Sequence, residues 1–198
     1  HIPDMDGLGL TMFSRYYYPQ IKKDALIIDI RNNGGGFVSQ MIIERLAREV
    51  LGYDSIRHGI DMTYPWCTFE GPMVALIDQH AGSDGDIFPA MFRRKQLGPL
   101  IGTRTWGGVI GISEGVPFLD GGYHTQPEAA WWEAEGGWTL ENRGVEPDIE
   151  VALTPSDRDA NADPQLDMGI QEAMRLLQTQ ATEKPARPPY PTEPMPGQ

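Results

Sequence analysis

A single cysteine, Cys67, among 198 residues leaves nothing for an internal disulfide to pair with. Beside Trp66 and near Phe69, it reads as a small buried side chain and says nothing about compartment. No stretch approaches the roughly 18 apolar residues of a membrane span, and the first residues carry no signal-peptide pattern. Basic charge is scarce as well. Sixteen Lys and Arg against 28 Asp and Glu give a net charge of −12, which argues against nucleic acid and against an anionic membrane surface as partners. The balance suits a neutral or cationic peptide, although a solvated acidic surface accounts for it equally well. Internal repeats are missing too. What remains is ordinary for a globular enzyme core: 40% apolar and 22% charged residues, in a chain long enough for one domain with one sizeable core.

Two strand-turn-helix units stand out. In the first, residues 24–31 (Asp-Ala-Leu-Ile-Ile-Asp-Ile-Arg) read as a strand running into Asn32-Asn33-Gly34-Gly35-Gly36, and a helix begins near Phe37 with apolar residues at Val38, Ile42, Leu46 and Val50. Three glycines at such a junction leave bare backbone N–H groups where a ligand can approach closely, as an oxyanion hole requires. A flexible turn or a phosphate cradle would use the same glycines. The run lacks both the P-loop lysine and the spacing of dinucleotide sites, which argues against nucleotide binding.

In the second unit, Met73-Val74-Ala75-Leu76-Ile77 is a short buried strand, and residues 87–96 read as a helix with Pro89 in its opening turn. Between them lies Asp78-Gln79-His80-Ala81-Gly82-Ser83-Asp84-Gly85-Asp86, a sharp turn projecting one hydroxyl. Ser83 is therefore a candidate nucleophile, with the unpaired N–H groups after it turned toward whatever it attacks. The same letters also spell an ordinary helix N-cap, Ser83 capping and Asp86 reciprocating three residues on.

Elsewhere, residues 99–105 read as a strand that closes a β-turn-α-β unit around Ser83, so that the carboxyl edge of the sheet carries the site. Residues 109–139 suggest glycine-punctuated antiparallel strands near it, with Phe118, Tyr123, Trp131, Trp132 and Trp138 packing the core or a lid. A late strand is expected over 145–151. Asp163-Pro164 marks a helix start, with Leu166, Ile170, Ala173, Met174 and Leu177 as its buried stripe. From Lys184 onward six prolines exclude helix and central strand, leaving residues 184–198 as an extended or disordered tail after a core of 1–183.

The two units, in this order, resemble the tail-specific and C-terminal processing serine peptidases, and more closely their tricorn-type branch. The resemblance rests on His-Ile-Pro-Asp-Met (1–5), Ile-Ile-Asp-Ile-Arg-Asn-Asn-Gly-Gly-Gly-Phe-Val-Ser (27–39), Ala-Gly-Ser-Asp-Gly-Asp (81–86), Gly-Thr-Arg-Thr-Trp-Gly-Gly (102–108) and Glu-Asn-Arg-Gly-Val-Glu-Pro-Asp-Ile-Glu-Val (141–151). It implies a crotonase-like α/β core of repeated β-β-α units with an antiparallel β layer and a C-terminal helix, and it places His1 inside a first core strand. By the same resemblance Ser83 is the nucleophile, the amides of Gly36 and Asp84 form the oxyanion hole, and Glu141 helps orient the catalytic histidine. Glu141 taken alone, just before the turn Asn142-Arg143-Gly144, is an ordinary solvated glutamate. Asp54 falls where an acid lines the pocket for a basic residue before the scissile bond; Gly52-Tyr53-Asp54 also reads as a turn at a helix end. No cofactor and no metal are implied.

In the processing peptidases the general base is a lysine some 25 residues past the serine, and Gly108 occupies that place here. Lys95 lies on the helix after Ser83 and reads as solvated. A Ser-His arrangement therefore replaces Ser-Lys, with the histidine supplied, by resemblance, from a helical domain that precedes a PDZ-like domain upstream of His1. The four histidines present are poor substitutes. His80 would have to fold back on its own loop, His124 sits in a hairpin, His58 in a polar connection, and His1 at a strand opening. The implied protein is a cytoplasmic, homo-oligomeric endopeptidase acting on peptides or unfolded polypeptides, of which this chain alone is inactive or very weak. Two other classes stay open: a non-catalytic peptide- or ligand-binding module of the same fold, and a crotonase-type acyl-CoA enzyme, which would need no nucleophilic serine.

Overall fold

The computed structural model describes residues 1–180 and 185–189. Its first residues form no core strand. They run beside the sheet, Ile2 N–H donating to Asp29 O at 2.8 Å, and make one parallel bridge between Met5 and Gly36. Helix α1 (Gly7–Gln20) follows, with Gly9, Phe13 and Tyr17 buried at a four-residue spacing and Pro19 in its last turn. The Tyr17 hydroxyl donates to Cys67 O. Cys67 itself is only half-buried, at φ 58°.

The chain then builds β1 (Leu26–Asp29), α2 (Ser39–Leu46), the antiparallel ribbon β2 (Gly52–Asp54) with β3 (Met62–Tyr64), β4 (Met73–Ile77), α3 (Asp84–Arg94) and β5 (Leu100–Gly102). A second ribbon, β6 (Gly111–Glu114) with β7 (Thr125–Ala129), precedes β8 (Ile149–Glu150), α4 (Pro155–Asp159) and α5 (Pro164–Thr179). Strands β1, β4, β5 and β8 form one sheet in the order β1-β4-β5-β8, every neighbouring pair parallel. The expected strands at 24–31, 99–105 and 145–151 are present but shorter.

Parallel sheets bury both faces, and β4 is buried at all five positions. Met73, Ala75 and Ile77 join a core with Ile42, Ile43, Leu46, Phe88 and Phe92 of α2 and α3, while Val74 and Leu76 point the other way onto Ala173 and Leu176 of α5. At roughly 25 cal/mol per Å², burying one such aliphatic side chain contributes about 1.5–3 kcal/mol.

Several expectations shift. α2 stops at Leu46, so Val50 is not part of its stripe. α3 starts at Asp84, which puts Pro89 in the helix interior, buried, instead of in the opening turn. On α5 the buried face is Gln165, Gly169, Glu172, Ala173 and Leu176, whereas Leu166, Ile170 and Met174 are exposed and Leu177 is half-buried. Polar bonds set that rotation: Gln165 Nε2 donates to Val151 O at 2.8 Å, and the N-cap Asp163, which accepts from Leu166 N–H, is held by Arg31. Trp131 packs against the core, but Trp132, Trp138, Tyr123 and Phe118 are exposed. Of the proline-rich tail only 185–189 are described, as neither helix nor strand; Lys184 and 190–198 lie outside the described residues.

Arg31 joins β1 to α5 through both carboxylates it touches. Its Nε and Nη2 meet Asp29 at 3.0 and 2.8 Å, and Nη1 and Nη2 meet Asp163 at 2.8 and 2.9 Å. Hydrogen bonding from Arg31 holds the Asp163 carboxyl below its ordinary range. A carboxyl depressed in the fold contributes stability above the unfolded pKa and loses it as pH falls through the folded value. Arg31→Ala is therefore expected to cost about 2–3 kcal/mol at pH 7, less than a fully buried pair because Asp163 is partly exposed. Urea denaturation at pH 7 and at pH 3 checks this: the gap from wild type should shrink at pH 3, and a pH-independent gap would contradict the ion-pair origin.

Candidate functional site

The loops leaving the carboxyl ends of β1 and β4 meet, and buried polar side chains decide how. Asp78, at the end of β4, accepts Asn32 N–H of the neighbouring loop at 2.9 Å and its own loop's His80 and Ala81 N–H at 3.1 Å. Asn33 is fully buried. Its Nδ2 donates to Ile2 O, its Oδ1 accepts Gly35 N–H, and its carbonyl accepts Gly82 N–H at 2.9 Å. The glycine loop is thereby fixed against the serine loop.

Gly35, at φ 102°, touches Ser83 directly: a methyl group there would lie 2.5 Å from Ser83 Cβ and 3.0 Å from the Asp84 amide nitrogen. Gly36 follows at φ 145°, and a methyl group on it would strike Met5 O at 2.1 Å. Any side chain at either position would fill the approach to Ser83 or push the loop off Met5.

Ser83 does not cap α3. It sits at φ 55° and ψ −121°, and its side chain makes no cap hydrogen bond. The wholly buried Asp86 carboxylate accepts Gly107 N–H at 2.8 Å and Gly108 N–H at 3.1 Å. Positive φ at a non-glycine residue costs about 1–3 kcal/mol and persists only where the surroundings enforce it. Here the enforcers are Gly108 O, accepting Ser83 N–H at 2.9 Å, and Asn33 O, holding Gly82. Among the described residues, the amides of Gly36 and Asp84 have no hydrogen-bond acceptor. The Asp84 carboxylate, by contrast, is buried and accepts Ser39 N–H at 2.9 Å and the Ser39 hydroxyl. Burial pushes both the Asp84 and Asp86 carboxyls above their ordinary range, against the pull of the donors facing them.

Glu141 lies one peptide group away from Ser83. The carbonyl of the Gly108–Val109 peptide accepts Ser83 N–H, and the N–H of that same peptide donates to Glu141 Oε2 at 2.7 Å, joined by Ile110 N–H at 3.0 Å. A planar trans peptide points its two polar groups to opposite edges, so the carboxylate is tied to the serine loop without touching the hydroxyl. The exposed indole of Trp106 covers the same loop: methyl groups on Gly82 or Gly108 would each lie 2.6 Å from its ring.

Asp54 is exposed at the end of β2, paired across the ribbon with Met62, and so belongs to a strand instead of a helix-end turn. None of the four histidines hydrogen-bonds to Ser83: His80 Nε2 lies 3.3 Å from Gln79 Nε2, His124 stacks on Phe118, His1 Nε2 lies 3.1 Å from Arg31 O, and His58 is exposed. Lys95 is the exposed C-cap of α3. Among the described residues no group of three or more His, Cys, Asp or Glu could hold a metal ion, and no helix is long and apolar enough to cross a membrane.

Asn33, Asp78 and Asp86 were not singled out from sequence as site residues. Their one signal is position: a short polar side chain after a strand or inside a helix's first turn satisfies backbone N–H groups.

Residues 1–151 match peptidase family S41. The chain is 46% identical over 187 residues to the tricorn protease of Thermoplasma volcanium, an alignment covering 94% of this chain and 18% of that protein. It is 41% identical over 189 residues to tricorn protease homolog 1 of Streptomyces coelicolor, covering 96% and 17%. The crystal structure of the tricorn protease superposes with a TM-score of 0.82 at 45% identity, covering 90% of this chain and 17% of that one. A photosystem II D1 C-terminal processing protease shares the fold, with a TM-score of 0.56 at 20% identity over 87% of this chain and 44% of the other. The chain spans less than a fifth of the length of these two tricorn relatives.

Proposed function

The chain belongs to peptidase family S41, and from that premise we propose that it is the nucleophile half of a tricorn-type serine endopeptidase. One observation carries this reading. Ser83 is held at positive φ with its hydroxyl unused as a cap, beside a glycine loop and a helix start whose amides, Gly36 and Asp84, have no acceptor among the described residues. In this reading residues 1–183 are the crotonase-like catalytic core, supported by the parallel sheet with its two strand-turn-helix units.

Ser83 Oγ attacks the carbonyl carbon of a peptide bond as a general base removes its proton. The Gly36 and Asp84 N–H groups receive the charge that develops on the carbonyl oxygen. The amine leaves with that proton, and water hydrolyses the acyl-enzyme. The base is a histidine from elsewhere in the parent protein, supported by the absence of any hydrogen bond between Ser83 and the histidines of this chain and by the share of the relatives it spans. Glu141 steadies the Gly108–Val109 turn with Oε2 and offers the imidazolium a counter-charge. Asp54 selects Arg or Lys before the scissile bond.

A peptidase assay tests this, using the full-length parent and fluorogenic peptides with Arg or Leu before the cut. The parent should cleave, the 198-residue chain alone should not, and Asp54→Asn should lower kcat/KM for Arg by roughly 30- to 150-fold, equivalent to about 2–3 kcal/mol, while sparing Leu. Parent-like turnover by the isolated chain would place the base inside it. Equal losses on both peptides would remove Asp54 from specificity.

A further inference from the structure

The two amides assigned to the oxyanion hole come from different loops, yet one buried side chain joins them. Ser39 is the first residue of α2 and lies three residues after Gly36; Asp84 is the first residue of α3 and follows Ser83 directly. Ser39 N–H reaches Asp84 Oδ2 at 2.9 Å, and the Ser39 hydroxyl donates to Oδ1. Both residues are more than nine-tenths buried, at 4% and 6% exposure. Asp84 thus offers its amide to the hole and its carboxylate to the opposite wall.

The rest of the glycine loop is pinned from behind. Met5 O accepts Phe37 and Val38 N–H at 2.7 and 2.9 Å, and Met5 N–H donates to Gly35 O. The back of the loop is fixed to Met5, and the Ser39–Asp84 bonds tie the start of α2 to the start of α3. Val38, the N-cap of α2, has no side-chain cap bond, so the Asp84 carboxylate also serves as the acceptor at that helix start.

Resting on the peptidase reading above, we propose that Ser39 is a positioning residue for catalysis: through the Asp84 carboxylate it sets the separation of the Gly36 and Asp84 amides, and so the fit of the hole to the tetrahedral oxyanion. A donor displaced by a fraction of an ångström serves the ground-state carbonyl almost as well but serves the transition state poorly. A merely structural serine would instead affect folding, with no preference for one bound state over another.

The test compares Ser39→Ala, Ser39→Thr and Ser83→Ala in the full-length parent, each confirmed folded by its thermal midpoint. Ser39→Ala should lower kcat about 10- to 100-fold with KM within about 3-fold. It should weaken inhibition by a peptide aldehyde, which forms a tetrahedral adduct on the serine, by the same factor, and leave binding of the matching peptide alcohol unchanged. Ser39→Thr, which keeps the hydroxyl, should recover most of the loss. Unchanged kcat in Ser39→Ala, or equal weakening of aldehyde and alcohol, would overturn the proposal while leaving the peptidase reading intact. Turnover surviving in Ser83→Ala would overturn that reading and this proposal with it.

Discussion

Ser83→Ala in the full-length parent is expected to lower kcat for peptide hydrolysis by about 10⁴- to 10⁶-fold with little change in KM. Removing a nucleophile that acts as a unit with its base abolishes the covalent route, and only binding and oxyanion stabilisation remain. The fold should tolerate the change well. Ser83 Oγ carries no cap bond, so alanine removes no structural hydrogen bond, and the backbone bond from residue 83 to Gly108 O is preserved. Thermal midpoints within a few degrees, together with unchanged binding of a peptide alcohol, would separate lost chemistry from lost structure. A loss below about tenfold would mean that another group attacks the peptide.

Glu141→Ala carries the second-largest effect, a fall in kcat of about 10³-fold. Two consequences combine. The amides of Val109 and Ile110 lose the carboxylate they share, which loosens the turn that holds Ser83 N–H, and the imidazolium formed on proton transfer loses its counter-charge. The first consequence alone would lower stability by about 1–3 kcal/mol, because two partly buried donors lose an acceptor. Glu141→Gln separates the two: its amide oxygen can still accept from Val109 and Ile110, so stability should return while kcat stays at least about 10²-fold down. Full recovery of kcat in Glu141→Gln would reduce Glu141 to a brace for the turn.

The strands and helices around the site were legible because their signals are local. β4 is an unbroken apolar run, the loop after β1 holds three consecutive glycines, and Asp163-Pro164 announces α5 as an N-cap with proline in the first turn. Helix α1 was not. Its buried stripe of Gly9, Phe13 and Tyr17 hides among Gly7, Thr11 and a run of three tyrosines, residues of modest helix propensity, and it is held by packing instead. The rotation of α5 is not legible, because apolar spacing ranks Leu166, Ile170 and Met174 as core, whereas the helix is turned by Asp163 on Arg31 and Gln165 on Val151, contacts more than a hundred residues apart for Arg31 and fourteen for Gln165. At Ser83, letters that spell a capping box fold into something else. Asp86 reaches Gly107 and Gly108, 21 and 22 residues away, and the Ser83 side chain makes no cap bond. Local sequence does not choose between those outcomes.

The central claim is that Ser83 is the nucleophile, poised by strain and by two acceptor-free amides. Its most direct measurement is covalent labelling of the full-length parent with a fluorophosphonate, followed by mass spectrometry of the tryptic peptides. The account predicts a single stoichiometric adduct on Ser83, formed at the same rate as peptidase activity is lost. An adduct on any other residue, or complete inactivation with Ser83 unmodified, would contradict it.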